Sequence, residues 1–287
     1  MEGTFDRRLV GGYAGLSERL RRAGDYVAQN PVSVATRSLR AIASDAGLAP
    51  ATFSRLARAL DYPDFEQLRE SIRRKIGQQL SPFADRAGRL QQEHGDAAAG
   101  FAAAHLRACL GNIERLGQVM DPAVLSNVAD RLHDARRVVV LGGLASAGPV
   151  EYVSYLASYF AENWSLAGRG GASVAGALTG LGARDVLVVL TKAPYSTVSI
   201  RSAELAASRG VYVVVIADGH ACPALRHASA GFTVPTDSPH FFSSYVATLA
   251  LLETIVGMLV SRSGQEARER IAEVEEMGRS LNEVRPA

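Results

Sequence analysis

The chain has 287 residues, 47% of them apolar and 21% charged, with a formal net charge of +2. This length admits two domains, and the composition excludes a collagen-like or strongly charged disordered chain. The first residues, MEGTFDRRLV, lack the apolar core of a signal peptide. The longest apolar run, 245–260, is interrupted by Glu253 and is short for a membrane span. We therefore expect a cytoplasmic protein without a membrane partner.

The cysteines and histidines form no metal-binding pattern. Cys109 and Cys222 make no CxxC pair, and the six histidines contain no HExxH sequence. His220 lies close to Cys222, but two ligands are fewer than a zinc site needs. The sequence therefore predicts no metal, and the sparse cysteines suit a reducing compartment.

Residues 1–80 predict an all-helical domain. Apolar residues recur at helical spacing over 13–29 and over 64–80, and Ser81-Pro82 interrupts the second pattern. Residues 1–77 hold 13 Lys/Arg and 9 Asp/Glu, which leaves a net +4, whereas the rest of the chain carries −2. The basic excess lies in the same region as the motif described next, which favours a nucleic-acid partner.

Residues 33–62 predict a helix-turn-helix. Gly47 suits the left-handed conformation that ends a helix, and Pro50 suits the first turn of the next one. Apolar residues on both sides of this turn recur at i, i+3, i+4 and i+7. They are Leu39, Ile42, Ala43 and Ala46 in the first helix and Phe53, Leu56, Ala57 and Leu60 in the second.

The face of the second helix opposite its apolar stripe carries small, hydroxyl and arginine side chains. Arginine can bind guanine edges with two hydrogen bonds, and hydroxyls can bind bases or phosphates. The same pattern also suits a helical hairpin whose basic face is merely solvated. The candidate DNA contacts, with two arginines that precede the turn, are Arg37, Arg40, Ala51, Thr52, Ser54, Arg55 and Arg58.

Residues 81–120 predict a helical connector, with an alanine-rich helix over 96–118 that suits a link or a dimer contact. From about residue 121, short β-branched runs alternate with helical segments. Because VVVL, VLVVL and VYVVVIA are apolar throughout, they predict strands covered on both faces, as in a parallel sheet. The expected strands are 137–141, 164–167, 185–191, 211–217 and 232–235, with helices near 122–134, 149–162, 172–181, 197–209, 240–261 and 265–282.

The second domain, 121–287, is thus predicted as a doubly wound α/β fold with a five-stranded parallel sheet. Ligands of such sheets bind beyond the carboxyl ends of the strands, where glycine-rich loops and helix N-termini attract anions. The same hydroxyl residues also suit helix N-caps, and the lysine also suits a solvated position. The candidate ligand residues are Gly142, Gly143, Ser146, Thr191, Lys192, Ser196 and Thr197.

The glycine loop does not follow the dinucleotide pattern G-x-G-x-x-G, because Leu144 occupies its third position. No cofactor is therefore predicted. Glu253 and His240 are isolated candidates for acid–base chemistry, and no catalytic set accompanies them.

The whole chain resembles the RpiR/MurR family of bacterial transcription regulators. The resemblance is carried by SLRAIASDAGLAPATFSRLARALDYPDFEQLRESI, VVVLGGLAS, DVLVVLT, STVSIRSAELAASRG, VYVVVIAD, CPALRHAS and VPTDSPHFFSSYVATLALLE. It implies a helix-turn-helix joined to a sugar isomerase (SIS) domain, in a dimer or tetramer that binds operator DNA and responds to a phosphosugar. By position it implies DNA contacts at Thr52, Ser54, Arg55 and Arg58, and phosphate contacts at Ser146, Thr191 and Ser196.

The chain departs from the family pattern at four places. Ala49 replaces a serine cap, Asp61 and Leu144 replace glycines, and Ala193-Pro194 replaces Ser-Gly. Proline has no N–H, so the second loop offers one donor fewer to a phosphate. The expected effector is therefore a phosphosugar, a sugar acid, another small anion or an unrelated compound.

We predict a transcription regulator that is not an enzyme. Two alternatives remain open on the sequence. One is a sugar-phosphate isomerase with an appended helical interaction domain. The other is a DNA-binding protein whose SIS-like domain is a dimerisation scaffold without a ligand.

Overall fold

The computed structural model describes residues 5–80, 83–94 and 98–283. They form two compact units. The first runs through Ala108 and includes Gly219–Ala221 and Ser238–Ser243, and the second holds Cys109–Asp218, Cys222–Asp237 and the chain from Ser244 onward. Part of the predicted connector, at 81–82 and 95–97, lies outside the described residues.

The first unit is helical, as predicted. The helix predicted over 13–29 begins only at Glu18, because Tyr13–Gly15 form a short 3-10 turn after a separate helix. A further helix begins at Pro31, whose missing N–H is tolerated in a first turn. In order, the helices are α1 (Phe5–Gly12), α2 (Glu18–Gln29), α3 (Pro31–Thr36), α4 (Leu39–Asp45), α5 (Pro50–Ala59), α6 (Phe65–Leu80) and α7 (Phe83–His94), and α8 (Ala98–Val119) continues into the second unit.

The pair α4–α5 has the turn that the sequence predicts. Ser38 caps α4 by accepting a hydrogen bond from the Ala41 N–H at 3.2 Å. Gly47 follows with φ +62°, the left-handed conformation that suits glycine. The apolar stripe of α5 is buried, whereas Leu39 and Ala46 at the two ends of the α4 stripe are partly buried. The Phe53 ring packs edge-on against two other rings, at 6.0 Å from Tyr26 and 5.9 Å from Phe65.

The second unit is built on a five-stranded parallel sheet, which confirms the predicted fold class. Its strand order is β2-β1-β3-β4-β5. Every residue of β3 is buried, as expected of a strand with helices on both faces. The strands are β1 (Arg137–Gly142), β2 (Trp164–Leu166), β3 (Asp185–Leu190), β4 (Tyr212–Ala217) and β5 (Ala230–Thr233).

Helices cover both faces of this sheet. Alternation along β1 places Val138 and Val140 in one core and Val139 and Leu141 in another. The helix predicted over 240–261 begins only at Val246, because 234–245 are non-helical and include Pro235 and Pro239. The helices are α9 (Pro122–His133), α10 (Ala147–Phe160), α11 (Val174–Leu178), α12 (Thr197–Ser208), α13 (Val246–Arg262) and α14 (Gly264–Ser280).

No single helix in the described part of the chain is long and apolar enough to cross a membrane. The helices α13 and α14 reach that length and composition only when taken together, and they are bent by 112° at their junction.

An ion pair joins Arg136, just before β1, to Asp185, the first residue of β3, and the Arg136 side chain is 46% exposed. The Asp185 carboxylate is fully buried and accepts hydrogen bonds from Arg136 Nε at 2.9 Å and Nη2 at 2.6 Å. The Gly182 N–H adds a third bond at 2.8 Å. The Arg136 guanidinium, followed by the Gly182 amide, lowers the pKa of Asp185 against the opposing effect of burial. The pair therefore stabilises the fold at neutral pH and loses that effect as pH falls through the lowered pKa.

We expect Arg136→Met to lower the free energy of unfolding at pH 7, because it leaves the buried Asp185 carboxylate without its charge partner. Urea unfolding would measure the loss. Arg137→Met is the matched control, since Arg137 makes only long 3.4 Å bonds to the carbonyls of Ala177 and Thr179. Equal losses in the two variants would contradict this role for the ion pair.

Candidate functional site

The two predicted ligand loops lie side by side because their strands are neighbours. Gly142 at the end of β1 pairs with Leu190 at the end of β3. The loops approach most closely at Gly143, where a Cβ would lie 2.6 Å from Ser196 Oγ and 3.1 Å from Ser199 Oγ. Any side chain larger than hydrogen would push the loops apart, so glycine is required here for close approach rather than for flexibility.

The hydroxyl residues of these loops have different partners. Ser196 caps α12, because its Oγ accepts a bond from the Ser199 N–H at 3.3 Å. Ser146 makes no such cap; its hydroxyl is hydrogen-bonded to the Tyr245 hydroxyl at 3.0 Å. Thr191 Oγ1 accepts from the Ser196 N–H at 3.4 Å, and Thr197 is exposed. The N-cap interpretation therefore holds for Ser196 and is wrong for Ser146.

Ser199 joins this group although the sequence analysis did not select it. Its side chain is fully buried, and its Oγ has no hydrogen-bond partner among the described residues. Because Ser199 stands three positions after Ser196 on α12, both hydroxyls face Gly143. A buried hydroxyl without a partner is costly, and a polar ligand group at the loops would remove that cost.

Lys192 is buried, so the solvated interpretation of this residue is wrong. Only 5% of it is exposed, and its Nζ donates a hydrogen bond to the Ser244 carbonyl at 3.0 Å. The same Nζ lies 3.8 Å from the centre of the Tyr245 ring, within the range of a cation–π contact. Burial lowers the pKa of Lys192 to about 7, against the opposing effect of the Asp218 charge.

Asp218 follows β4 and brings a carboxylate to the same edge of the sheet. Its Oδ2 accepts the Ala193 N–H at 3.0 Å, whereas its Oδ1 is buried without a hydrogen-bond partner among the described residues. Burial, and then the negative charge of Asp218, raises the pKa of Tyr195. Burial likewise raises the pKa of Tyr245. Asp218 directly follows a buried strand, and this position is the sequence signal that would have identified it as a site residue.

The departures from the family pattern alter the backbone of the site. Leu144 has φ +55° and is 66% exposed, so it adopts a glycine conformation with a bulky side chain. Such a conformation costs about 1–2 kcal/mol. In the second loop, Pro194 lacks an N–H and the Ala193 N–H is bonded to Asp218. This loop therefore offers two fewer backbone donors to an anion than a Ser-Gly pair with free N–H groups.

In the first unit, the predicted DNA face is accessible. Ala51, Arg55 and Arg58 are exposed on α5, with Thr52 and Ser54 partly exposed beside them. Among the described residues neither Arg55 nor Arg58 forms a salt bridge. Arg40 is exposed on α4, whereas Arg37 is already paired with Asp45. Asp61, at the end of this helix pair, has φ +59°, in the left-handed region that favours glycine.

Comparison with known proteins agrees with this architecture. Residues 131–258 match the SIS domain family, and no curated protein sequence matches the chain. The Vibrio vulnificus NanR protein complexed with ManNAc-6P is 19% identical with a TM-score of 0.57, over 96% of this chain and 98% of that chain. The sugar isomerase domain of an RpiR transcription factor from Sphaerobacter thermophilus is 18% identical with a TM-score of 0.56, over 60% of this chain and 96% of that chain. The second part of the chain thus has the SIS fold.

We expect the wild type to gain stability relative to Lys192→Met as pH rises from 7 to 10. The pKa of Lys192 is about 7 in the folded protein against an ordinary 10.5. The unfolded chain therefore binds more protons in this window, and the wild type gains up to about 1.4 kcal/mol per pH unit that methionine does not. Urea unfolding of both proteins at pH 6, 8 and 10 would measure it. A difference independent of pH would show that the buried amine does not titrate in this window.

Proposed function

We propose that the protein is a transcription regulator that binds operator DNA through α4 and α5 and senses a small anionic metabolite at its SIS domain. The observation that carries this proposal is the combination of two features in one chain. One is an accessible arginine and hydroxyl face on the second helix of a glycine-turned pair. The other is a pair of hydroxyl-lined loops at the carboxyl edge of a parallel sheet.

The DNA half of the proposal rests on the chemistry of α5. Arg55 and Arg58 are exposed, and the partly exposed Ser54 lies about one helical turn before Arg58. Inserted in a major groove, α5 would present these side chains to the bases. Arg40 adds a phosphate contact, and Arg37 does so only if it leaves Asp45. Binding to an operator also assigns the protein to the cytoplasm.

The effector half rests on the two loops. Ser146, Thr191, Ser196 and the start of α12 supply hydroxyl and N–H groups, and Lys192 supplies a positive charge when protonated. NanR, which shares this fold, was solved with ManNAc-6P. We therefore propose a phosphorylated sugar or a similar carbohydrate anion as the effector, with no other cofactor.

The assembly would be a homodimer or homotetramer, because two half-sites of an operator require two recognition helices. Support comes from α8, where Leu106, Leu110 and Ile113 recur at i, i+4 and i+7 and are 63%, 62% and 44% exposed. An effector that changes the separation of the two recognition helices would change operator affinity. Turnover of an aldose or ketose phosphate would instead identify an isomerase.

We expect Arg55→Ala to weaken binding to an operator fragment by about 1–3 kcal/mol, because a bidentate contact to a base edge would be lost. The operator would first be selected from genomic fragments by the purified protein. Gel-shift titrations on the operator and on random DNA then separate base contacts from phosphate contacts. Arg19→Ala is the control, since Arg19 is also exposed but lies on α2. Equal losses on both DNAs would make Arg55 a phosphate contact.

We expect Ser146→Ala to abolish the response to effector while DNA binding without effector stays intact. Ser146 loses its hydroxyl and with it the bond to Tyr245. Thermal unfolding with N-acetylmannosamine 6-phosphate, other sugar phosphates and inorganic phosphate would measure binding; a ligand at 100 times its dissociation constant adds about 2.7 kcal/mol to the wild type. Ser158→Ala, on the exposed side of α10, is the control. A response that survives in Ser146→Ala would remove Ser146 from the site.

A further inference from the structure

Lys192 stands out by the residue type used at its position. The sequence has 31 Lys and Arg residues, of which only Lys75 and Lys192 are lysines. A guanidinium stays protonated in proteins, whereas a buried lysine amine loses its proton readily and becomes a nucleophile. One of the two lysine side chains of the sequence thus lies at the loop where the proposed effector would bind.

Burial favours the neutral amine of Lys192, whereas its two direct contacts also suit the ammonium form. Its Nζ donates a hydrogen bond to the Ser244 carbonyl and lies over the Tyr245 ring. It forms no salt bridge with any acidic side chain in the described ranges. The titratable groups that face this region are Asp218, Tyr195 and Tyr245, and the charge of Asp218 favours the ammonium form of Lys192. Burial outweighs that charge and lowers the pKa of Lys192 to about 7, so this amine loses its proton more readily than an exposed lysine does.

We propose that Lys192 forms a reversible imine with the carbonyl carbon of an aldehyde- or ketone-bearing effector. The Nζ lone pair attacks the carbonyl carbon, and a C–N bond forms as the C=O π bond opens to a carbinolamine. The carbinolamine oxygen then leaves as water with the two amine hydrogens, and a C=N bond remains. No oxidant or reductant takes part, and hydrolysis by water reverses the step.

The neighbours of Lys192 specify the class of carbonyl compound. Tyr245 links the amine to the first loop, because its ring centre lies 3.8 Å from Lys192 Nζ and its hydroxyl is 3.0 Å from Ser146 Oγ. An effector whose carbonyl reaches the amine would therefore bring an anionic group towards the hydroxyl of Ser146. Asp218 Oδ1, buried without a partner in the described structure, is an acceptor for a hydroxyl hydrogen of the carbinolamine or the effector. The expected class is a phosphorylated aldehyde or ketone, such as an open-chain sugar phosphate. This class rests on the proposed function, because it places the effector at the same loops.

The test uses the full chain and pyridoxal 5′-phosphate, a probe that carries both an aldehyde and a phosphate. Lys75→Arg leaves Lys192 as the only lysine in the sequence, so a trapped imine on a side chain can form only at Lys192. The protein is incubated with the probe and cyanoborohydride, and peptide mass spectrometry locates the reduced adduct and separates it from the α-amino group. We expect labelling of Lys192 about tenfold faster than that of Nα-acetyl-lysine amide at neutral pH, with a rate that rises through pH 7.

Two variants and one competitor sharpen the result. Lys192→Arg keeps the positive charge but cannot form an imine, so in the Lys75→Arg background we expect no side-chain adduct. Lys192→Met controls for loss of both charge and amine. Inorganic phosphate should slow labelling of Lys192, and pyridoxal without its phosphate should label more slowly than the phosphorylated probe.

The outcomes separate the imine from the proposed function. If Lys192 stays unlabelled in the folded protein and is labelled only in urea, the imine is wrong. If sugar phosphates still raise the unfolding temperature in that case, the effector site stands without it. If pyridoxal labels Lys192 as fast as its phosphate does, the imine stands and the phosphorylated class of effector is wrong.

Discussion

The parallel pairing of β1 with β3 is the constraint on which the candidate site depends. At one end of the two strands, an ion pair joins Arg136, just before β1, to Asp185, the first residue of β3. At the other end, the register that pairs Gly142 with Leu190 brings two loops so close that only glycine fits at 143. A one-residue slip would move every buried valine of β1 to the opposite face. The register that fills both cores is therefore the one that brings Gly143 to Ser196.

The second loop of the site offers few backbone donors. Where the resemblance leads one to expect Ser-Gly, Ala193-Pro194 supplies one N–H, and Asp218 takes it. The side chain of Lys192 partly replaces the missing backbone donors, because it brings a titratable amine to the loop after β3. In the first loop, Leu144 adopts a strained backbone that glycine would adopt freely. Local strain of this kind persists only where the surrounding structure holds it, and here Gly143 and the 3-10 turn 144–146 do so.

The sequence was sufficient for the fold because its strongest signals are local. Apolar runs with turn residues at their ends predicted all five strands, and helical spacing predicted the pair around Gly47. Helix starts were less well predicted, since periodicity continues past a boundary that backbone geometry sets; α2 begins at Glu18 and α13 at Val246. The partners of the site residues were missed for a different reason. Ser199, Asp218 and Tyr245 lie on three other elements, and only tertiary packing brings them to Ser146 and Lys192.

Tyr245 connects both ligand loops to the core of the second unit. Its hydroxyl bonds Ser146 in the first loop, its ring lies beneath Lys192 of the second, and it immediately precedes α13. That helix is no surface element: Leu251, Leu252 and Ile255 pack in the same core as β1. Because the hydroxyl and the ring of one residue serve both loops, a ligand that contacts either Ser146 or Lys192 lies next to a partner of Tyr245. The residue that begins a core helix is therefore the part of the domain through which both loops are connected to the core.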